Sequence, residues 1–171
     1  AARLYHAVSC VDEPENPLPP LSLETLPHSL RQAAAHAGWR ALMPVQERAL
    51  PYLLQGRDIM VQSRTGSGKT GAFLLPALER LDPEQHACQC LILTPTRELA
   101  IQVEQDAQTL FQESSLKAAA VYGGVGYKRQ MDALKSGVQL LVGTPGRVLD
   151  HLLRHCLNLE SLKMLVFDEA D

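Results

Sequence analysis

The sequence predicts an α/β fold, a mostly parallel β-sheet with helices on both faces. Three observations carry that prediction. Five short apolar runs, DIMVQS (58–63), CQCLILT (88–94), KAAAVYGG (117–124), VQLLVGT (138–144) and KMLVFDE (163–169), recur mostly without strict alternation, as strands buried on both faces do. Helical patterns lie between them: Leu99, Val103, Ala107 and Leu110 share one helical face, and Val148, Leu149, Leu152 and Leu153 share another. The 171 residues, 46% hydrophobic and 20% charged, are enough for one core in an ordinary globular domain. Parallel strands joined by helices then imply right-handed crossovers.

Taken in order, residues 1–20 carry Pro14, Pro17, Pro19 and Pro20 and few core-forming runs, which predicts an extended arm or linker. Regular structure is expected from Leu21 to Asp171. Thr25 and Pro27 mark a helix start and Gly38 its stop; a second helix runs from Pro44 to Gly56, with Pro51 expected to strain or shorten it. The strands and crossover helices follow from Asp58 onward. No apolar run approaches the roughly 18–20 residues of a membrane span. The N-terminus AARLYHAVSC lacks the basic-then-apolar order of a secretory signal. The expectation is an intracellular protein, in cytoplasm or nucleus, with no membrane partner. A net charge of −3 excludes a broadly basic surface, so a nucleic-acid partner would be held locally by loops and helix ends. Cys10, Cys88, Cys90 and Cys156 lack the paired spacing of a zinc site. Reduced, partly buried thiols are the expectation.

In a parallel sheet the carboxyl ends of the strands share one edge, where ligands bind. The residues that follow each predicted strand are SRTGSGKT, PTRELA, GGVG, TPGR and DEAD. These runs, scattered in sequence, are therefore expected to be neighbours in space. SRTGSGKT, residues 63–70, sits between a predicted strand and the helix containing Phe73 and Leu74. Its tail Gly68-Lys69-Thr70 fits the P-loop, although Ser63 stands where the first glycine of that pattern is usual. Backbone N–H groups of Arg64, Thr65, Gly66, Ser67 and Gly68 are expected to wrap phosphates, aided by the helix N-terminus. Gly66 and Gly68 permit the tight turn. Lys69 is expected to reach the β- and γ-phosphates, and the Thr70 hydroxyl to ligate Mg²⁺. The run LVFDEAD supplies the carboxylate such a site needs. Asp168 is expected to hold Mg²⁺ directly or through water, and Glu169 to orient or deprotonate an attacking water. In this reading Lys69, Asp168 and Glu169 are the catalytic residues.

The ordered set SRTGSGKT, PTRELA, GG, TPGR and DEAD resembles the first RecA-like domain of a DEAD-box RNA helicase, from about Leu21 to Asp171. The resemblance implies ATP and Mg²⁺ as ligands, RNA as a partner and a second RecA-like domain in the same polypeptide. It implies that Gln46, in MPVQ, reads adenine through an amide that can donate and accept at once, and that Trp39 stacks on the base. It further implies that Pro95, Thr96 and Arg97, Gly123 and Gly124, and Thr144, Pro145, Gly146 and Arg147 contact the RNA backbone. Glycine admits backbone amides to phosphate, threonine donates a hydroxyl and arginine forks onto phosphate oxygens. The sequence departs from the family where Leu21 replaces an upstream aromatic, where Leu42-Met43 replaces Pro-Thr, and at Ser63. The implied activity is that of an ATP-dependent RNA helicase, which remodels or unwinds short duplexes together with its second domain. An ATP-gated RNA clamp or scaffold is the alternative, and a DNA translocase is less favoured. The domain is expected to continue beyond Asp171 through another helix and strand. By itself this stretch is expected to be monomeric and nearly inactive.

Overall fold

The computed structural model describes residues 16–170. Cys10, Asp171 and most of the predicted arm lie outside the described residues. Among the described residues four strands form one parallel sheet: β1 (Cys90–Leu93), β2 (Ala118–Val121), β3 (Leu140–Gly143) and β4 (Met164–Phe167), in the order β2-β3-β1-β4. The register aligns Val121 with Gly143, Gly143 with Leu93, and Leu93 with Phe167. All four strands therefore end at one level. At about 4.8 Å per strand, the edge from β2 to β4 is about 14 Å long.

Among the described residues six α-helices accompany the sheet: α1 (His28–His36), α2 (Pro44–Leu54), α3 (Lys69–Arg80), α4 (Arg97–Leu110), α5 (Tyr127–Lys135) and α6 (Pro145–Leu153). A 3₁₀ turn, Leu23–Thr25, precedes α1. The strand residues alternate between two cores. Cys90, Ile92, Leu140 and Val142 meet Leu74 and Leu75 of α3, Val103 and Ala107 of α4, and Leu30 of α1. Leu91, Ala119, Val121 and Leu141 face the other way, toward Val148 of α6 and Leu157. Full burial of each leucine contributes about 1.5–3 kcal/mol. That burial fixes α3, and with it the loop at its N-terminus.

Three expectations need correction. Residues 58–62 form no strand. Parallel strands exist only through a neighbour's hydrogen bonds, and β4 is the outermost strand on its side; Ile59, Met60 and Val61 are left exposed. Pro51 does not shorten α2, which continues to Leu54. The proline cannot donate to the Glu47 carbonyl, and the backbone N–H of Leu21 takes that acceptor instead at 3.0 Å. The Leu18 N–H likewise donates to the Tyr52 hydroxyl at 2.8 Å, so the end of the arm lies along α2. The third correction concerns α6. Val148 is buried, but Leu149 and Leu153 are 55% and 69% exposed, so the four apolar residues do not share one buried face. The cap signals fare better: Gly38 and Gly56 follow α1 and α2 with positive φ, as helix-ending glycines do.

Candidate functional site

The loop at 63–68 turns into α3 through Gly66 and Gly68, with φ of +77° and +92°. Gly68 is the N-cap of α3 and Lys69 its first residue. The Lys69 ammonium donates to the Ser63 carbonyl at 2.9 Å and lies 3.0 Å from the Glu169 carboxylate. The loop thus closes on the last strand. β4 carries the acids there because the Asp168 N–H donates to the Leu93 carbonyl at 2.9 Å, prolonging the ladder by one residue. Glu169 then turns into the left-handed region at φ +51°, a conformation uncommon outside glycine and often found at functional sites.

Asp168 is 91% shielded from solvent. Burial raises its carboxyl above the usual aspartate range, and the neighbouring Glu169 adds to the rise; Lys69 opposes both. A cation placed there would relieve this cost. Asp168 and Thr70 line one cavity of about 490 Å³ together with Lys69 and Glu169. Magnesium ordinarily takes one or two carboxylates and completes its shell with water and substrate phosphates, so this donor set fits the ion in company with a phosphate chain. The buried Ser67 hydroxyl has no hydrogen-bond partner among the described residues, an uncompensated polar group within the loop.

The lining of the cavity also includes Trp39, Met43 and Gln46. Gln46 is 3% exposed. Its amide oxygen accepts from the Met43 N–H at 2.9 Å, and its nitrogen donates to the Gly68 carbonyl at 3.0 Å. The predicted base reader is therefore also a strut between the start of α2 and the loop. Each end of the amide retains one unused proton or lone pair. Trp39 and Gln46 both lie against Gly71. A Cβ on Gly71 would come within 2.3 Å of the Trp39 ring and 2.5 Å of the Gln46 amide nitrogen. Sequence reading did not single out Gly71. The only available signal was a glycine inside a helical pattern, where it costs about 1 kcal/mol relative to alanine unless packing demands it.

The other predicted residues occupy the rest of the strand-end edge. Gly123 and Gly124 follow β2, Thr144, Pro145, Gly146 and Arg147 follow β3, and Pro95, Thr96 and Arg97 follow β1. These three strands are consecutive in the sheet, and β4 with its acids comes next. The edge is thereby divided, with the P-loop and acids at one end and the Gly, Thr, Pro and Arg turns along the remainder. Thr96 caps α4 by accepting the Leu99 N–H at 3.3 Å. The Arg97 guanidinium stacks 5.0 Å above the Tyr122 ring, and that of Arg147 lies 4.8 Å above Tyr127. Arg64 and Thr65 are exposed on the loop.

Residues 43–171 match the family model described as DEAD/DEAH box helicase. Among curated relatives, the ATP-dependent RNA helicase CshA of Limosilactobacillus reuteri is 44% identical over 146 residues, covering 85% of this chain and 29% of the relative. The ATP-dependent RNA helicase DeaD of Escherichia coli K12 is 49% identical over 142 residues, covering 82% of this chain and 22% of the relative. The chain therefore spans less than a third of the length of these two relatives. A DEAD box protein from Methanococcus jannaschii superposes with a TM-score of 0.80 at 39% identity, covering 86% of this chain and 40% of that one. A hypothetical ATP-dependent RNA helicase from Sulfolobus tokodaii superposes with a TM-score of 0.76 at 35% identity, covering 85% and 42%.

Proposed function

This chain belongs to the DEAD/DEAH box helicase family, and from that membership we propose that it is the nucleotide- and RNA-engaging domain of an ATP-dependent RNA helicase. ATP with Mg²⁺ enters the cavity between Trp39 and Asp168. The backbone of single-stranded RNA lies along the ends of β2, β3 and β1. Hydrolysis, in concert with a second RecA-like domain, remodels or unwinds short duplexes.

One observation carries this reading: the Lys69 ammonium, at the head of a glycine-turned helix, sits 3.0 Å from Glu169 and shares a cavity with Asp168 and Thr70. A phosphate chain arriving at the N-terminus of α3 meets backbone N–H groups and the helix dipole. Lys69 then exchanges its contact with Glu169 for the β- and γ-phosphate oxygens. That exchange frees the Glu169 carboxylate, which the left-handed turn after β4 holds at the cavity, to accept a proton from water. Asp168 and Thr70 would hold Mg²⁺, which supplies positive charge to the phosphate oxygens when bound. Gln46 offers its remaining donor and acceptor to the base edge, and Trp39 offers a ring face. On the RNA side, contacts from Thr96, Arg97, Thr144 and Arg147 and from glycine backbone grip phosphates and sugars without reading sequence.

The test uses the 171-residue chain with a labelled single-stranded RNA, a matched DNA competitor and Mg²⁺-bound ATP or GTP. Preferential RNA retention and preferential competition by ATP are expected. Equal affinity for the DNA strand, or equal competition by GTP, would contradict the reading. Duplex unwinding by these residues alone would contradict the requirement for a second domain.

A further inference from the structure

We propose that Gln130 is a positioning residue that aims Arg147 at the RNA backbone by tying the turn after β2 to the first turn of α6. The inference rests on the RNA reading above and deepens it.

Gln130 lies on α5, otherwise a polar helix with few buried side chains, yet it is 7% exposed. A buried glutamine is retained at a cost unless its amide is satisfied. Here it makes three contacts. Its nitrogen donates to the Tyr122 carbonyl at 3.0 Å, and its oxygen accepts from the Arg147 guanidinium at 3.3 Å. The same oxygen lies 3.3 Å from the His151 ring nitrogen Nε2. Because the amide nitrogen is committed as a donor to Tyr122, its oxygen faces the histidine and Nε2 carries the proton. His151 is fully buried. Burial and the neighbouring Arg147 lower its pKa, with Arg154 acting in the same direction and Asp150 opposing, so the ring is neutral and does not compete as a cation with Arg147.

The Arg147 guanidinium also donates to the Val125 carbonyl at 3.4 Å and covers the Tyr127 ring at 4.8 Å. These contacts hold one terminal nitrogen and one face of the fork. Across the same edge, Tyr122 supports Arg97 with its ring while its carbonyl is held by Gln130. One amide thus fixes the geometry of both arginine-bearing turns relative to Gly123 and Gly124. A planar fork is useful on a phosphate only when its plane is set beforehand.

The experiment compares wild type, Gln130→Leu and Gln130→Asn in the 171-residue chain, with Arg147→Ala as reference and a single-stranded oligouridylate RNA as probe. Binding is measured across a salt series and Mg²⁺–ADP affinity in parallel. The Arg147 Nε–H resonance, shifted by the Tyr127 ring, is followed by NMR. Gln130→Leu is expected to weaken RNA about tenfold and to lower the magnitude of the salt slope by about one, with the ring-shifted resonance lost and ADP affinity unchanged. On the Arg147→Ala background it should add little further loss. Asparagine is one methylene too short to span both partners and retains polarity, so it should repeat the effect even where leucine does not fold. An unchanged salt slope and Arg147 resonance in Gln130→Asn would overturn the proposal, as would equal losses of RNA and ADP affinity. Absence of RNA binding by wild type would instead overturn the RNA reading beneath it; wild-type binding with no response to either substitution refutes the positioning role alone.

Discussion

Replacing Gly71 by alanine tests how closely the helix after the P-loop must approach the residues assigned to the base. An added Cβ would stand 2.3 Å from one Trp39 ring carbon, 3.0 Å from a second and 2.5 Å from the Gln46 amide nitrogen. Ordinary carbon contacts are about 3.5–4.0 Å, so the ring must retreat by more than an ångström. Overpacking of this kind costs about 1–3 kcal/mol, whereas alanine in a helix interior recovers about 1 kcal/mol over glycine. Trp39 is only half-buried, and it can swing outward at the expense of the site rather than the fold. The net change in stability is therefore about 0–2 kcal/mol by the same two terms, or at most about 4–8 °C in melting temperature for a chain of this size. The site loses more: the displaced ring and the disturbed Gln46 strut should weaken Mg²⁺–ADP binding about tenfold or more, the cost of one buried polar contact. Trp39 is the chain's single tryptophan, so its emission reports the movement directly and should shift to the red. A Gly71→Ala protein with unchanged emission and unchanged ADP affinity would refute the reasoning.

Asp168→Asn is expected to raise the melting temperature of the ligand-free chain, by about 0.5–2 kcal/mol in stability, while removing the benefit of Mg²⁺–nucleotide. The sign follows from the raised carboxyl: protonation favours the folded state, so this contribution is full below the unfolded aspartate pKa and is lost as pH rises through the higher folded value. The advantage of the variant over wild type should therefore grow from about pH 4 to pH 7 in thermal melts; a constant or shrinking difference would contradict the assignment. Thr96→Ala removes the α4 cap and should cost about 1 kcal/mol in urea denaturation, with RNA binding weakened as well; no loss of stability would show that the cap contributes nothing. Burial pushes the Cys88 thiol up to about 12 and raises Cys90 further, so neither should react with iodoacetamide at pH 8 in the folded protein. The half-exposed Cys156 should be alkylated first of these three, as peptide mapping would report.

The sheet and its edge were legible because local chemistry and global fold agree there. The four apolar runs of β1 to β4 are bounded by turn residues, and a parallel sheet necessarily brings their ends together. The fifth run failed for a non-local reason: nothing in 58–62 states whether a neighbouring strand stands beside it. Pro51 was misjudged because its cost depends on the Glu47 carbonyl finding another donor, here Leu21, thirty residues before Pro51 in the sequence but adjacent in space. Leu149 and Leu153 have the spacing of a core face, yet spacing cannot show that no element among the described residues covers it. Gly71 and Gln130 escaped notice because their meaning lies in contacts across 32 and 17 residues, with Trp39 and Arg147. The left-handed turn at Glu169 has no sequence signal at all, since the residue is neither Gly nor Asn.

Calorimetric titration of Mg²⁺–ATP into wild type and Lys69→Ala tests the central claim most directly. The ion pair between Lys69 and Glu169 should give way to phosphate in wild type, with saturable heat and an affinity about tenfold or more above that of the variant. Equal binding by both proteins, or no magnesium dependence in wild type, would contradict a phosphate cradle at the head of α3.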